Sequence, residues 1–321
     1  MEKINSELNF SGELRFDEAM SARTTFKIGG NADVWVRPVK DIFPAYTAGL
    51  LEAAREEGIP VFVLGGGANI LVSDSGIRGI VLDTGLWRGV ETRRTRRTQG
   101  TRRSQRTQRG DVLSGTAVDE LVDELAEMGL SGVEFLAGMP GSVGGAVWMN
   151  ARCYGKSVSD VLLETEILDE NFQRQIVPFR AEDFAYKKSP FQGRESLILS
   201  ASFSLECRDP AEIRREITEY RRDREEKGHF RLPSAGSAFK NNPEFGDPVG
   251  KIADELGLRG ISVGGAQVAP WHGNIVVNTG NATARDVREL MDEVARQVKV
   301  KRGFELENEV LFVGEWGKIE P

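Results

Sequence analysis

The sequence is poor in the residues that build cross-links and metal centres. It contains two cysteines, Cys153 and Cys207, and two histidines, His229 and His272. Two thiols cannot form a disulfide framework, and their scarcity is typical of a reducing compartment. Two histidines exclude a histidine-rich metal site. We therefore expect a cytoplasmic protein without a bound metal.

Long hydrophobic runs are also missing. No apolar run approaches the roughly 18 residues that span a bilayer, and residues 1–7 lack the basic and apolar regions of a signal peptide. The net charge of −7 argues against a protein that coats nucleic acid. We therefore expect neither a membrane nor a nucleic acid as a partner.

Glycine is in excess, at 36 of 321 residues, where a usual share is about 7%. The chain is 40% hydrophobic and 28% charged, so it can bury a core, and its length suggests two domains. From Pro210 onward the sequence becomes rich in charged residues and has the pattern of a helix. We place the domain boundary there, which gives domains of residues 1–205 and 206–321.

The spacing of hydrophobic residues predicts the main elements. Helices are predicted over 41–57, from 118 to Gly129, from Pro210 to about 226, and after a capping box of Thr283 and Asp286. Strands are predicted at 59–64, 80–82, 161–168, 174–178, 197–205 and 304–313.

An arginine-rich segment, residues 92–109, reads as six triplets with eight arginines and no acidic residue. Removing those eight charges from the net −7 leaves −15 for the rest of the chain. A period of three fits neither a strand nor an α-helix. Two interpretations stay open, namely a solvated, mobile insertion and a polycation that binds phosphate backbones.

Two glycine-rich segments are the first candidates for a binding site. One is residues 65–69, directly after a predicted strand, and the other is residues 138–146. Glycine lets main-chain N–H groups approach an anion, so the two segments could hold one pyrophosphate. Close packing of loops is the alternative. Neither segment matches the G-x-G-x-x-G dinucleotide motif.

Three polar segments could carry chemistry. Residues 233–243 place Ser237 on a turn of small residues, but the G-x-S-x-G pattern of a hydrolase is absent. Glu305, Glu307 and Glu309 share one face of the predicted last strand, where a carboxylate in a cleft could transfer a proton. Residues 186–191 could contact an anion. Each segment also has a simpler interpretation. Residues 233–243 could be an ordinary polar loop, the three glutamates could form the solvent-exposed face of a strand, and residues 186–191 could be a solvated turn.

In their order along the chain, these segments resemble the flavin-dependent UDP-N-acetylenolpyruvoylglucosamine reductases of bacterial cell-wall synthesis. The motifs are T-T-F-x-I-G-G at 24–30, L-G-G-G-x-N at 64–69, G-x-P-G-S-V-G-G-A at 138–146, P-S-A-G-S-x-F-K-N at 233–241 and L-E-x-E-V at 306–310. The resemblance covers nearly the whole chain. It implies an α+β fold with a two-lobed FAD-binding part of the vanillyl-alcohol-oxidase type, followed by a smaller C-terminal α/β substrate domain.

The resemblance also implies a reaction. NADPH reduces bound FAD, and the flavin reduces the enolpyruvyl group of UDP-N-acetylglucosamine enolpyruvate to UDP-N-acetylmuramate, a peptidoglycan precursor needed for cell shape and division. The short link between Phe191 and Leu197 suggests the subgroup that lacks a long substrate-covering loop. A monomer in the cytoplasm is expected.

The resemblance implies a role for individual residues. The flavin-binding positions are Gly65, Gly66, Gly67, Asn69, Gly138, Pro140, Gly141, Ser142, Gly144 and Gly145. The catalytic positions are Ser237 as proton donor, Glu309 as a buried acid partner with a raised pKa, and Lys187. The substrate-binding positions are Tyr186, Lys227, Lys240, Asn241 and His272.

The chain departs from the family pattern in several places. Lys187 stands where the family has an arginine, so a two-pronged grip on a carboxylate is lost. Arg152 and Cys153 replace small residues, Asn242 is an extra residue, and the arginine-rich segment occupies the place of a hairpin. Two alternatives follow, namely a related FAD-dependent oxidase or dehydrogenase with another substrate, and a weakened enzyme with a polycationic binding insert.

Overall fold

A computed structural model describes residues 8–94 and 107–317 of the chain. The described residues form two compact units. Unit 1 takes its residues from the ranges 1–14, 36–66 and 82–222, and unit 2 takes its residues from 15–35, 67–81 and 223–321. The chain passes from one unit to the other five times, within three strands, within one helix and in the loop at 66–67, so both units are built from separate stretches of sequence.

The helices are α1 (Phe43–Glu56), α2 (Val118–Glu127), α3 (Val143–Trp148), α4 (Pro210–Glu226), α5 (Val249–Glu255) and α6 (Ala284–Arg302). The strands in the first half of the chain are β1 (Gly12–Ala19), β2 (Asn31–Pro38), β3 (Val61–Leu64), β4 (Ile70–Val72), β5 (Ile77–Asp83), β6 (Val90–Arg94), β7 (Thr107–Leu113), β8 (Leu130–Ser131), β9 (Arg152–Cys153) and β10 (Lys156–Ser157). The remaining strands are β11 (Leu162–Leu168), β12 (Arg174–Pro178), β13 (Leu197–Cys207), β14 (Ser234–Ser237), β15 (Ser262–Val263), β16 (Ala266–Val268), β17 (Ile275–Asn278) and β18 (Leu311–Val313).

Unit 1 is built around an antiparallel sheet with the strand order β12-β11-β13-β7-β6, and β8 pairs with the end of β13. In the central strand β13, seven of the eleven residues are buried, and the last two, Glu206 and Cys207, are exposed. One face of α2 packs on this sheet because its hydrophobic residues recur at helical spacing, as at Leu121 and Leu125. Ile213 and Ile217 of α4 belong to the same core.

Unit 2 contains the antiparallel sheet β14-β17-β16-β15 and the helices α5 and α6. The predicted capping box of α6 is confirmed, because the Thr283 hydroxyl accepts from the Asp286 N–H and the Asp286 carboxylate accepts from the Thr283 N–H. The buried face of α6 comprises Ala284, Val287, Leu290, Met291, Val294 and Val298. In the same unit β18 pairs in parallel with β4.

The predicted helices around α1, α2, α4 and α6 are confirmed, as are the strands at β3, β5, β11, β12 and β13. The strand predicted over 304–313 is wrong except at β18, because residues 304–310 follow an irregular path after Gly303, whose φ of +76° ends α6. The arginine-rich segment was expected to fit no strand, yet its first and last residues extend β6 and β7, which pair with each other. Residues 95–106 lie outside the described residues, and both interpretations of them stay predictions.

The predicted domain boundary between 205 and 206 stays a prediction, and the compact units are divided differently. The first part of α4 belongs to unit 1, because Ile213 and Ile217 are buried in the core of that unit. Unit 2 also takes in residues 15–35 and 67–81 from the N-terminal half. Within the described ranges, no helix is long and apolar enough to cross a membrane.

Candidate active site

In unit 1 the two glycine segments contact each other, Gly65 beside the Ser142 hydroxyl and Gly66 beside the main chain of Gly141. A Cβ added at Gly65 would lie 2.3 Å from Ser142 Oγ, and one added at Gly66 would lie 2.5 Å from Gly141 Cα. Real Cβ atoms do not come this close to another atom. Gly66 therefore requires glycine, because its neighbour is main chain, whereas a Cβ at Gly65 would require the Ser142 hydroxyl to move. The predicted neighbourhood of the two segments is therefore present, and close packing accounts for part of their glycine content.

The second glycine segment leads into the short helix α3. Ser142 is its N-cap, and the Ser142 hydroxyl accepts from the Gly145 N–H at 3.3 Å. Gly144 packs so closely on Ser114 that a Cβ there would lie 2.8 Å from the serine Cβ. Pro140 and Gly145 are exposed. The segment thus has a fixed main chain with an exposed side.

The start of this segment is held by a carboxylate that the sequence did not single out. Gly138, with φ of +70°, donates its N–H to Asp119 Oδ1 at 2.6 Å. Arg221 of α4 donates to the same oxygen at 2.8 Å and to Asp123 at 2.8 Å. Asp119 therefore connects α4 to the glycine segment through one charged acceptor.

Tyr186 and Lys187 also lie in unit 1. Tyr186 is exposed, and Lys187 is half-buried with φ of +56°, in the left-handed region. The Lys187 carbonyl accepts from Gln192 Nε2 at 3.2 Å, and the side chain of Gln192 also donates to the Trp148 carbonyl, at 3.0 Å. The main chain at Lys187 is thereby held in an uncommon conformation.

In unit 2, Thr25 joins the third glycine of the first segment to the strand that carries Ser237. The Thr25 N–H donates to the Gly67 carbonyl at 3.0 Å. The Thr25 hydroxyl donates to the Ser234 carbonyl at 2.7 Å. A Cβ at Gly67 would lie 2.3 Å from the Arg23 carbonyl oxygen, so this contact also requires glycine.

Ser237 and Glu309 lie on neighbouring stretches of chain in unit 2. The Glu309 N–H donates to the carbonyl of Ala238, the residue after Ser237, at 2.8 Å. Phe239 forms a bridge with Asn308, so the two stretches run antiparallel. Ser237 is half-buried and Glu309 is 7% exposed, whereas Glu305 and Glu307 are exposed. The three carboxylates therefore do not share one face, as the predicted strand required.

Asn69 is next to the same carboxylate-bearing stretch. Asn69 Nδ2 donates to the Glu309 carbonyl at 3.1 Å, and the Asn69 carbonyl accepts from the Leu311 N–H at 3.0 Å. The asparagine side chain thus holds the main chain of Glu309. This contact brings two of the five sequence motifs together within unit 2.

Three predicted residues, Ser237, Asn241 and His272, line one cavity of about 340 Å³ in unit 2. Lys251, Arg259 and Asn274 line it as well. Arg259 forms an ion pair with Asp254 at 2.8 Å. Asn241 Oδ1 accepts from the Val249 N–H at 2.9 Å and so holds the start of α5.

The two histidines form a pair in unit 2, with ring centroids 6.0 Å apart. Burial lowers the pKa of His229 to about 4, and the neighbouring charge of Arg224 acts in the same direction. Burial likewise lowers the pKa of His272. His272 Nδ1 accepts from the Asn274 N–H at 3.1 Å, so the neutral ring carries its proton on Nε2.

The two predicted substrate lysines form ion pairs on the surface of unit 2. Lys227 Nζ lies 2.7 Å from Asp223, four residues earlier on the chain, and Lys240 Nζ pairs with Glu307. Neither lysine is among the residues that line the cavity. In the described part of the chain, no group of three or more histidine, cysteine, aspartate or glutamate residues could hold a metal ion.

Comparisons of this chain with family models and with known proteins indicate the same family. Residues 228–313 match the model of the C-terminal domain of UDP-N-acetylenolpyruvoylglucosamine reductase, and residues 47–171 match an FAD-binding domain. The reductase of that name from Treponema pallidum is 40% identical over 92% of each chain. The one from Treponema denticola is 38% identical over 98% of this chain and 97% of its own.

This chain belongs to the UDP-N-acetylenolpyruvoylglucosamine reductase family. A solved reductase of this family from Thermus caldophilus is 31% identical, with a TM-score of 0.73 over 95% of this chain and 99% of that one. The predicted α+β fold, with an FAD-binding part followed by a C-terminal domain, is confirmed.

The residues of unit 1 fit the FAD that this family implies. Gly66 and Gly145 are exposed, and a Cβ at Gly145 would meet only Ser142 Oγ, at 3.5 Å. At Gly66 and Gly145 the accessible surface is therefore main chain rather than side chain. Such a surface suits a diphosphate, because N–H groups can approach its oxygens.

Of the positions where the sequence predicts a departure from the family pattern, Arg152 is exposed, and Cys153, Lys187 and Asn242 are half-buried. The Arg152 guanidinium donates to the Ser157 hydroxyl at 3.3 Å. The exposed ring of Tyr154 stacks at a tilt on Tyr220, 4.3 Å between centroids. The side chain of Asn242 accepts from the Glu244 N–H at 3.0 Å and so begins a short turn.

Proposed function

We propose that this chain reduces the enolpyruvyl group of UDP-N-acetylglucosamine enolpyruvate to give UDP-N-acetylmuramate, with FAD as its cofactor and NADPH as the reductant. The observation that carries the proposal is the antiparallel contact in unit 2 between the stretch after Ser237 and the stretch that holds Glu309. The residues that carry the hydroxyl and the buried carboxylate, Ser237 and Glu309, therefore lie on adjacent stretches of chain, and Ser237 lines a cavity.

The reaction adds a hydride and a proton, which together are two electrons and two protons, to a carbon–carbon double bond. FAD, when bound, carries the hydride from NADPH to the methylene carbon of the substrate. The neighbouring carbon, which bears the carboxylate, must then receive a proton. We assign this proton to Ser237 Oγ, whose half-buried position beside the cavity supports the role.

Hydride addition leaves enolate-like negative charge beside the substrate carboxylate. A group that supplies a proton or a positive charge there lowers the barrier, because this charge is largest around the transition state. We assign Glu309, in its protonated form, to this role. Its burial, at 7% exposure, supports a neutral carboxyl group. The raised pKa that the role requires stays a prediction.

The remaining predicted residues complete the proposal. We assign the flavin diphosphate to residues 65–69 and 138–145, and the substrate to Tyr186, Lys227, Lys240, Asn241 and His272. Lys187 acts as a point charge toward the substrate carboxylate in place of the family arginine. Cytoplasmic location, a monomeric state and the subgroup without a long covering loop belong to the proposal as well.

The proposal is tested with purified protein in the absence of oxygen. We expect a visible spectrum of oxidised flavin that NADPH bleaches and the enolpyruvyl nucleotide restores, with a product two mass units heavier than the substrate. Bleaching by NADPH without recovery on adding the nucleotide would refute this substrate. It would favour the alternative of a related FAD-dependent oxidase or dehydrogenase.

Ser237→Ala tests the proton donor, and Ser234→Ala, on the same strand, is the control. We expect Ser237→Ala to slow reoxidation of the flavin by the nucleotide by about 10²–10⁴-fold, while its reduction by NADPH stays near the wild-type rate. Ser234→Ala keeps both rates, because Ser234 contacts Thr25 through its main-chain carbonyl and its hydroxyl makes only a long contact, 3.5 Å from the Gly236 N–H. Equal rates in the two variants would remove Ser237 from the mechanism.

A further inference from the structure

Asn274 makes an unusual set of contacts with the residues that follow Ser237. It is 3% exposed and directly precedes β17. Its side-chain Oδ1 accepts from the Phe239 N–H at 3.0 Å, and its Nδ2 donates to the Phe239 carbonyl at 2.8 Å. Its main-chain carbonyl accepts from the Ala238 N–H at 2.8 Å. One residue thus binds three main-chain groups of two adjacent residues, Ala238 and Phe239.

These contacts take the place of strand pairing, because β14 ends before Phe239. The pairing of β14 with β17 stops at Ser237, after a bulge that includes Gly236, whose φ is +76°. Phe239, two residues further on, is 2% exposed. A buried peptide group without a partner is unfavourable, and the carboxamide of Asn274 supplies both a donor and an acceptor in its place.

The other edge of the same stretch is held by the residues around Glu309. The Ala238 carbonyl accepts from the Glu309 N–H at 2.8 Å, and the Lys240 N–H donates to the Glu307 carbonyl at 2.8 Å. Residues 238–240 are therefore fixed between Asn274 on one side and 307–309 on the other. A shift of this stretch would move Ser237 relative to Glu309.

Asn274 also contacts the histidine in the cavity. Its N–H donates to His272 Nδ1 at 3.1 Å, and both residues line the cavity together with Ser237. The same asparagine is therefore linked to two of the positions assigned to the reaction.

We propose that Asn274 is a positioning residue of the reductase reaction, which fixes the Ser237 hydroxyl relative to Glu309 through the main chain of Ala238 and Phe239. This inference rests on the proposed function. It predicts a specific defect, because only the transfer to the enolpyruvyl substrate needs the proton from Ser237, whereas the reduction of the flavin by NADPH does not.

The test uses Asn274→Ala, which removes both side-chain contacts, and Asn274→Asp, which keeps the acceptor but places an oxygen against the Phe239 carbonyl. Asn278→Ala is the matched control. Asn278 is 4% exposed and is the last residue of β17, the strand that Asn274 precedes. Its side chain donates to the Phe26 carbonyl and accepts from the Gly280 and Ala282 N–H groups. The Asn278→Ala variant therefore loses a similar set of buried hydrogen bonds, but at a place away from Ser237.

The two half-reactions of the flavin-loaded protein are followed separately by stopped-flow absorbance. We expect both Asn274 variants to lose about 10²-fold in the rate of reoxidation by the enolpyruvyl nucleotide, the effect of a small misplacement of a reacting group. Their reduction by NADPH stays near the wild-type rate. Asn278→Ala changes neither rate, or both equally.

Amide hydrogen exchange gives a readout that needs no turnover. We expect faster exchange at the Phe239 N–H in Asn274→Ala than in wild type or Asn278→Ala. Equal losses in both half-reactions, or a Phe239 exchange rate that matches the control, would refute the positioning role. Wild-type protein that the nucleotide does not reoxidise would refute the proposed function, and this inference with it.

Discussion

Replacing Arg109 by alanine is expected to destabilise unit 1 by about 3 kcal/mol. Arg109, the last residue of the arginine-rich segment, lies on β7 and donates to Glu164 Oε1 at 2.6 Å, to Ser202 Oγ at 2.7 Å and to Asp111 Oδ1 at 2.6 Å. The hydrogen bond with Glu164 is the largest contribution that raises the pKa of Arg109. The guanidinium thus links three neighbouring strands of the sheet.

The magnitude follows from the partners and their burial. A hydrogen bond to a charged group contributes about 1.5–3 kcal/mol, and Arg109 makes two of these. The side chains of Arg109, Asp111 and Glu164 are 32%, 21% and 27% exposed, so solvent screens them only in part. Without the cation, two carboxylates would face each other across the sheet. A loss of about 3 kcal/mol corresponds to roughly 6–12 °C in Tm for a unit of this size.

Arg93→Ala is the matched control, because Arg93 lies directly opposite Arg109 in the pairing of β6 with β7. Its side chain is 70% exposed and contacts Glu91 and Asp111 at 3.2 and 3.7 Å. Such a surface pair contributes about 0–1 kcal/mol. Urea unfolding followed by circular dichroism, together with Tm, compares the two variants. Equal destabilisation by both would refute the assignment of Arg109 to the sheet network.

Four further predictions concern the insertion, the flavin, the catalytic lysine and the histidine pair. Replacing residues 95–106 by an Asn-Gly turn spares β6 and β7, so flavin content and turnover should stay unchanged, whereas a loss of either would show that the insertion takes part. Asp119→Ala removes the acceptor of the Gly138 N–H and should raise the Kd of FAD about tenfold in a spectral titration; an unchanged Kd would contradict this. Lys187→Arg should raise kcat, because a guanidinium offers paired N–H groups to a carboxylate, and an unchanged kcat would mean that lysine suffices. Since burial lowers the pKa of His229 to about 4, the unfolded chain binds the extra proton between pH 6.5 and 4, so Tm should fall as the pH drops through this window, and less steeply in His229→Gln.

Elements with a strong periodic pattern could be predicted from the sequence. α6 has both a capping box and a continuous buried face, and each signal is contained in the sequence of the helix itself. β1 could not be predicted in this way, because none of its residues is buried. The arginines of β6 likewise carry no hydrophobic alternation, and cross-strand pairing with β7 forms that strand.

The motifs identified Ser237 and Glu309 and also contain Thr25, but they neither include Asn274 nor show which groups Thr25 and Asn274 bind. Thr25 contacts a carbonyl 209 residues away, and Asn274 acts on main-chain groups 35 residues earlier. A single buried polar residue has no local signature of its partner, so such contacts become visible only in three dimensions. Periodicity also misplaced Glu309 on the same face as Glu305, which pairs with Lys299 at the surface.

The parallel pairing of β18 with β4 has a consequence for synthesis of the chain. Asn69 and Glu309, which contact each other beside this pair, are 240 residues apart in the sequence. During translation, β4 leaves the ribosome long before its partner β18 exists. Closing so long a loop is slow compared with local folding. β4 therefore keeps an unpaired strand edge until β18 has been synthesised, and this interval is when chaperones would bind the nascent chain.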